Sequence, residues 1–115
     1  MIAERTVNLD AGAIRSDMKL SRERMARVLK VSAKTIERWE EDRVMPRDDA
    51  KRTQLAHLAQ IVELGRTVYT PEGFLAFLTT PMPVFEQRTA MQLLENGQSD
   101  VVLGALAADY EGSGY

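Results

Sequence analysis

The chain of 115 residues is 44% hydrophobic, only 6% aromatic, and carries a formal net charge of −2, which suits one domain or two very small ones. It has no cysteine, which excludes disulfide bonds, thiolate catalysis and cysteine-ligated zinc. Because its N-terminus carries no secretory signal and its longest apolar stretch is too short to span a bilayer, we expect a soluble, cytoplasmic protein that contacts no membrane.

The first 66 residues predict four helices. Asp10 can cap a helix over residues 10–19. Two short helices are predicted over residues 21–29 and 33–42, and Pro46 then breaks the helical pattern because proline lacks an N–H. Asp48 can cap a longer helix that runs to about residue 64, where Gly65 is a candidate stop.

Residues 21–40, SRERMARVLKVSAKTIERWE, form the most informative stretch. Ser21 and Ser32 stand where N-caps belong, and apolar residues line one face of each short helix. Two such helices joined by a tight turn form a helix-turn-helix, whose second helix enters the DNA major groove. The stretch resembles, without gaps, the repressor-type (Xre-like) helix-turn-helix family at Met25, Ala26, Leu29, Ile36 and Glu40. Lys30 stands where that family usually has glycine, and Ala33 stands where a base-reading polar residue often sits.

DNA contacts are expected on the exposed face of the second helix and at its ends, at Ser32, Lys34, Thr35, Arg38 and Arg43. Arg38 suits bidentate contact with guanine, and Thr35 suits a phosphate or a methyl group. Arg22, Arg24 and Arg43 are expected nearer the phosphates. The first 66 residues carry 14 basic and 11 acidic side chains, against 1 and 6 in the remainder, so the N-terminal half suits a polyanion. The alternatives are a solvated helix face and a helix-turn-helix that serves assembly.

The remaining residues, 67–115, also predict helices and no strand. Thr70-Pro71-Glu72 is typical of a helix start, and Thr89 with a glutamine three residues later makes a capping box. Gly97 is expected to end that helix, and Ser99 to cap a last helix that reaches about Tyr110. The predicted fold is therefore all-α, with a helix-turn-helix bundle over residues 1–66 and a small helical module with a flexible tail over residues 67–115.

Residues 77–97, FLTTPMPVFEQRTAMQLLENG, resemble the C-terminal toxin-binding domain of the MbcA/ParS/Xre antitoxin family. The matching positions are Phe77-Leu78, Pro81, Pro83, Val84-Phe85, Arg88-Thr89, Leu93-Leu94 and Gly97. Glu86-Gln87 replace the usual glycines, Met82 replaces a usual asparagine, and Ala90 replaces a usual proline. These departures affect the geometry of the turn and leave the helix positions intact.

The resemblance implies the antitoxin of a type II toxin-antitoxin system. Its partner would be a RES-domain toxin that destroys NAD, or a related ADP-ribosyltransferase-like toxin, whose cleft the C-terminal segment occludes. The helix-turn-helix would repress the shared operon by binding operator DNA, and the chain would be a homodimer within a hetero-oligomer. The toxin contacts implied are Phe77, Phe85, Arg88, Leu94, Asp109, Tyr110, Glu111 and Tyr115.

Two parts of this toxin surface have a further interpretation from the residues alone. The side chains of Phe77, Phe85, Leu93 and Leu94 are too apolar for a small module to need all of them inside, so some are expected to face the toxin or a second copy. The acidic, aromatic end of the chain is by composition a frayed terminus. The resemblance instead favours a flexible arm that enters the toxin's cleft.

We expect no enzymatic activity, no cofactor and no metal site, because the chain lacks paired histidines, a glycine-rich phosphate loop and a base beside any serine. His57 is expected at the surface and Trp39 in the core or an interface. The run Glu40-Glu41-Asp42 is interpreted as solubilising charge. The alternative function is a stand-alone helix-turn-helix transcription regulator whose C-terminal half only oligomerises.

Overall fold

The computed structural model describes residues 9–112, and within that range it is all-α, as predicted. The helices are α1 (Ala11–Met18), α2 (Arg22–Leu29), α3 (Ala33–Asp42), α4 (Asp49–Val68), α5 (Pro71–Thr79), α6 (Ala90–Glu95) and α7 (Ser99–Gly112), with a 3-10 turn at Pro83–Phe85. The described residues contain no helix that is long and apolar enough to cross a membrane.

Side-chain caps fix where most of these helices begin, which is why their starts were predictable. The backbone N–H groups of the first turn find oxygen acceptors at Asp10, Ser21, Ser32, Asp48, Thr70 and Thr89. Thr89 and Gln92 form the predicted capping box, in which each side chain accepts a hydrogen bond from the other residue's backbone N–H. Gly97, with φ of 78°, follows the end of α6 as predicted.

The predicted end of α4 at Gly65 is wrong, since the helix continues to Val68. Gly65 is buried and faces the ring of Phe74 on α5. A Cβ atom at residue 65 would lie 2.3 Å from Phe74 Cε1, so glycine is needed there for the close approach of α5. The predicted boundary at residue 66 falls inside α4, and buried residues on both sides of it belong to one core cluster.

The predicted cap of α7 is also wrong. Ser99 is the first residue of α7 rather than its cap, and its hydroxyl lies 3.1 Å from Nδ1 of His57 on α4. His57 is therefore half-buried and bonded across two helices, not free at the surface as expected. The helix also extends to Gly112, so residues 109–111 are helical and do not begin a flexible arm.

The expectation that some of Phe77, Phe85, Leu93 and Leu94 face outward is wrong, because all four are buried in the chain's own core. The rings of Phe77 and Phe85 meet edge to face at 6.1 Å between centroids, and Phe77 stacks on Tyr69 at 5.5 Å. With few aromatic residues in the chain, α4 to α7 need these side chains to fill the space between them.

Candidate functional site

The α2–α3 pair is held together by buried apolar side chains on the facing sides of the two helices, namely Met25, Ala26, Leu29, Ile36 and Trp39. Trp39 is only 7% exposed, which confirms it as a core residue. Lys30 ends α2 in the left-handed conformation, with φ of 60°, at the position where the resembled family has glycine. The turn therefore keeps the backbone geometry that glycine would suit, although a lysine occupies it.

Glu40, near the C-terminal end of α3, is the partly buried centre of an ionic cluster rather than solubilising charge. Its carboxylate accepts hydrogen bonds from Arg15 Nε at 2.6 Å and Nη2 at 3.1 Å, and from Arg22 Nε at 3.1 Å and Nη2 at 2.9 Å. The hydrogen bonds from Arg15, more than those from Arg22, hold the pKa of Glu40 below its ordinary value despite opposing desolvation. The same contact raises the pKa of Arg15. This cluster ties α1, α2 and α3 together.

The basic side chains of α2 and of Lys30 after it contact groups inside the chain, although Arg27 and Lys30 also remain exposed to solvent. Arg22 contacts Glu40, and Arg24 Nε lies 3.0 Å from an oxygen of Glu95 on α6. Arg27 Nε lies 3.8 Å from the same Glu95 oxygen, and Lys30 Nζ donates to the Glu95 backbone carbonyl at 2.7 Å. The expected placement of Arg22 and Arg24 beside DNA phosphates therefore competes with contacts inside the chain.

The cations of α3 and of the segment after it are, by contrast, exposed. Lys34 is 84% exposed and has only a 3.7 Å contact with Glu37, one turn further along the helix. Arg38, Arg43 and Arg47 are exposed and form no ion pair with any residue of the described range. We call the exposed side chains of Lys34, Arg38, Arg43 and Arg47 the α3 cationic surface.

A groove of about 550 Å³ opens beside this surface, between α3 and the start of α4. Three basic residues (Arg38, Arg47, Lys51) and two acidic ones (Asp42, Asp48) line it together with the exposed apolar side chains of Val44 and Met45. Three cations against two carboxylates leave an excess of one positive charge, so the groove by itself favours a polyanion only weakly.

Three of the predicted DNA contacts have structural roles at the ends of α3. Ser32 caps α3 by accepting from the N–H of Thr35 at 3.1 Å, and the hydroxyls of Ser32 and Thr35 lie 3.0 Å apart. Arg43 ends α3 with φ of 54°, and its side chain is exposed. Ser32 and Thr35 therefore have their hydrogen bonds partly met before any ligand binds.

Arg88 holds the turn between α5 and α6. Its guanidinium donates to the carbonyl of Phe85 and to Gln98 Oε1, each at 3.3 Å, and lies 3.7 Å from Glu86. Glu86 and Gln87 have φ of 56° and 67°, so this turn is left-handed where the resembled family has glycines. Arg88 is thus placed to fix a strained turn, in addition to any contact with a partner.

The end of α7 carries the remaining predicted toxin contacts. Asp109 accepts a hydrogen bond from the Tyr69 hydroxyl at 2.6 Å, and burial, helped by this bond, raises the pKa of Tyr69 to about 12. Tyr110 is 52% exposed and lines a groove of about 510 Å³ between α4 and α7, and Glu111 is exposed. Tyr115 lies outside the described residues.

The sequence reasoning missed Glu95 and the link between His57 and Ser99. Glu95 is separated from its α2 partners by about seventy positions, so no local pattern could reveal the contact. The one signal in the sequence that pointed to such a contact was the run of basic residues on α2, because these side chains need either acidic partners or open solvent. Residues 9–112 contain no group of three histidine or acidic side chains that could hold a metal ion.

No family model matches the sequence, and no curated protein matches it either. Among solved structures, the fold matches a chain in the crystal structure of the M. tuberculosis MbcT-MbcA toxin-antitoxin complex, with a TM-score of 0.74 and 19% identity. The match covers 97% of this chain and 100% of that chain. It confirms the fold that the sequence resemblance implies, over nearly the whole chain.

Proposed function

We propose that this chain is an antitoxin that binds and neutralises a cognate toxin. The observation that carries the proposal is the shared fold, nearly end to end, with a chain of a toxin-antitoxin complex, at the same helices where the sequence resembles the antitoxin family. The resemblance further favours a RES-type toxin that degrades NAD, or an ADP-ribosyltransferase-like relative. The chain would act by occluding the active site of that toxin.

The surface proposed to meet the toxin is the outer end of α7 with the residues that follow it. Asp109, Tyr110 and Glu111 are exposed there, and they combine negative charge with an aromatic ring. Such a surface complements a cationic cleft that binds a nucleotide. Since these residues are helical, they would be presented by a fixed element instead of by a flexible arm. Phe77, Phe85 and Leu94 are buried in the core, so they are not part of this exposed surface.

The test is co-expression with the product of the adjacent gene. The intact chain should co-purify with that product and suppress its toxicity. A chain truncated after Ala108 should still co-purify but should lose most of the suppression, because the core of the module stays intact. The truncation also removes the bond from Asp109 to Tyr69, so Tyr69→Phe is the matched control, and this variant should suppress toxicity fully. Full suppression by the truncated chain would exclude the α7 end as the occluding element.

A second candidate function, repression of its own operon by DNA binding, is favoured by the exposed α3 cationic surface. If α2 and α3 act as a helix-turn-helix, Lys34 and Arg38 should face the major groove, and Arg43 should lie nearer a phosphate. Arg38→Ala should then cost about 1–3 kcal/mol on the operator and relax the preference at one base pair. Arg43→Ala should weaken binding to all duplexes alike. Anisotropy titrations on the upstream DNA and on a random duplex distinguish the two effects, and equal wild-type affinity for both duplexes would leave the helix pair as an assembly element.

A further inference from the structure

We propose that Glu95 is an electrostatic mask that keeps the cations of α2 from binding nucleic-acid phosphates. The inference rests on the proposed DNA binding by the α2–α3 pair and adds a residue from the other half of the chain to it. Glu95 is the last residue of α6, and it reaches across to α2. It limits the nucleic-acid surface to α3 and the segment after it.

The contacts that form the mask converge on one residue. The Glu95 side chain is 25% exposed, and one of its oxygens lies 3.0 Å from Arg24 Nε and 3.8 Å from Arg27 Nε. Its backbone carbonyl, at the C-terminal end of α6, accepts from Lys30 Nζ at 2.7 Å. The negative end of the α6 dipole and the Glu95 carboxylate thus both face the basic side of α2.

The masked residues are ones that nucleic acid would otherwise contact. In a helix-turn-helix the first helix crosses the phosphate backbone while the second enters the major groove. The side chains of Arg24 and Arg27 are 39% and 60% exposed, so they reach solvent on that helix and are long enough to turn towards a phosphate. A carboxylate on the same guanidinium must first be displaced, and the partly exposed Glu95 charge also repels the approaching strand.

A purely structural role for the Arg24–Glu95 ion pair predicts no gain in DNA affinity when the Glu95 charge is removed. Both side chains of the Arg24–Glu95 pair keep contact with water, at 39% and 25% exposure, so losing the Glu95 charge should cost the fold about 1 kcal/mol or less. Lys30 bonds to the backbone carbonyl and keeps that contact when the side chain is changed. Glu95→Gln therefore removes the charge with little change in shape, and it separates masking from packing.

The experiment measures binding of a labelled random-sequence duplex to the full chain by fluorescence anisotropy at several salt concentrations. Each phosphate contact gives a slope of about −0.9 in log affinity against log salt, which is on the order of eightfold in affinity at 0.1 M salt. Glu95→Gln should therefore bind about eightfold tighter or more, with a slope steeper by about one to two contacts. Glu72→Gln is the matched control, since it removes the same charge from an exposed position on α5.

Two further variants test whether the gain in DNA affinity comes from Arg24 and Arg27. Adding Arg24→Gln and Arg27→Gln to Glu95→Gln should cancel the gain, whereas the same two changes in the wild-type chain should have little effect. If Glu95→Gln matches Glu72→Gln in affinity and slope, or if the arginine changes weaken the wild type as much as the variant, the mask is wrong. If neither the wild-type chain nor Glu95→Gln binds any duplex, the masking proposal and the proposed DNA binding are both wrong. Toxin inhibition by the same Glu95→Gln preparation tests the antitoxin proposal separately.

Discussion

Replacing Glu40 by glutamine removes the charge at the centre of the α1–α2–α3 cluster while nearly preserving the shape of the side chain. The Glu40 side chain is only 9% exposed, and its carboxylate accepts four hydrogen bonds from the guanidinium groups of Arg15 and Arg22. Glutamine offers a single oxygen as acceptor and places an N–H₂ group against a positive charge. The substitution therefore leaves two cations facing a group that cannot neutralise them.

The magnitude follows from how far each partner is buried. Removing one partner of a fully buried ion pair costs about 3–5 kcal/mol, and an exposed pair contributes only about 0.2–1 kcal/mol. The Arg15 and Arg22 side chains are 26% and 37% exposed, so water can solvate them in part. We expect Glu40→Gln to lower the free energy of unfolding by about 2 kcal/mol at neutral pH, or about 8 °C in melting temperature for a chain of this length.

The pH dependence gives an independent check. Because the pKa of Glu40 is held below its ordinary value of 4.5, its stabilisation is complete above that value and is lost as the pH falls through the lower folded-state pKa. The stability difference between wild type and Glu40→Gln should therefore shrink in acid. Glu41→Gln is the matched control, since Glu41 is exposed and adjacent. Denaturant unfolding that puts Glu40→Gln within about 0.5 kcal/mol of Glu41→Gln at neutral pH would refute this account of the cluster.

Three further expectations concern stability. Gly65→Ala should destabilise the fold by about 1–3 kcal/mol, because the new Cβ meets the buried Phe74 ring. Gly104→Ala should instead stabilise α7 by about 0.5–1 kcal/mol, because no atom lies within 4 Å of its new Cβ. Thermal melts that rank the two variants in the opposite order would contradict this packing. Gln87→Gly should stabilise the left-handed turn by about 0.5 kcal/mol, an effect that Gln87→Ala should not reproduce in the same denaturant titration. The raised pKa of Tyr69 means that the fold should lose stability as pH rises from 10 towards about 12, and Tyr69→Phe should abolish that loss; absorbance titration showing all tyrosines ionising near 10 would refute it.

The helix starts were predictable from sequence because a cap is a local interaction. Ser21, Ser32 and Thr89 each accept from an N–H three residues later, so a single short stretch contains both partners. The end of α4 was not predictable in this way. Gly65 reads as a stop when only its neighbours are considered, and only the approach of Phe74 explains a glycine inside the helix.

The positions of candidate site residues were predictable where the helical period alone determines which side chains are exposed. They were not predictable where residues far apart in the sequence come into contact. Lys34 and Arg38 lie on the side of α3 opposite Ile36, which the helical period already indicates, and both are exposed. Glu40 was misread because its partners lie 25 and 18 positions away. Phe85 was misread because its burial depends on how several helices pack.

The most direct test of the proposed function is a titration of the toxin's activity with the purified chain. The product of the adjacent gene, incubated with NAD, should consume it, and increasing amounts of this chain should reduce that rate to background at a defined molar ratio. A matched titration with the chain truncated after Ala108 should leave most of the activity. If the intact chain, folded by circular dichroism, neither binds the product nor slows the loss of NAD at molar excess, the antitoxin proposal is wrong.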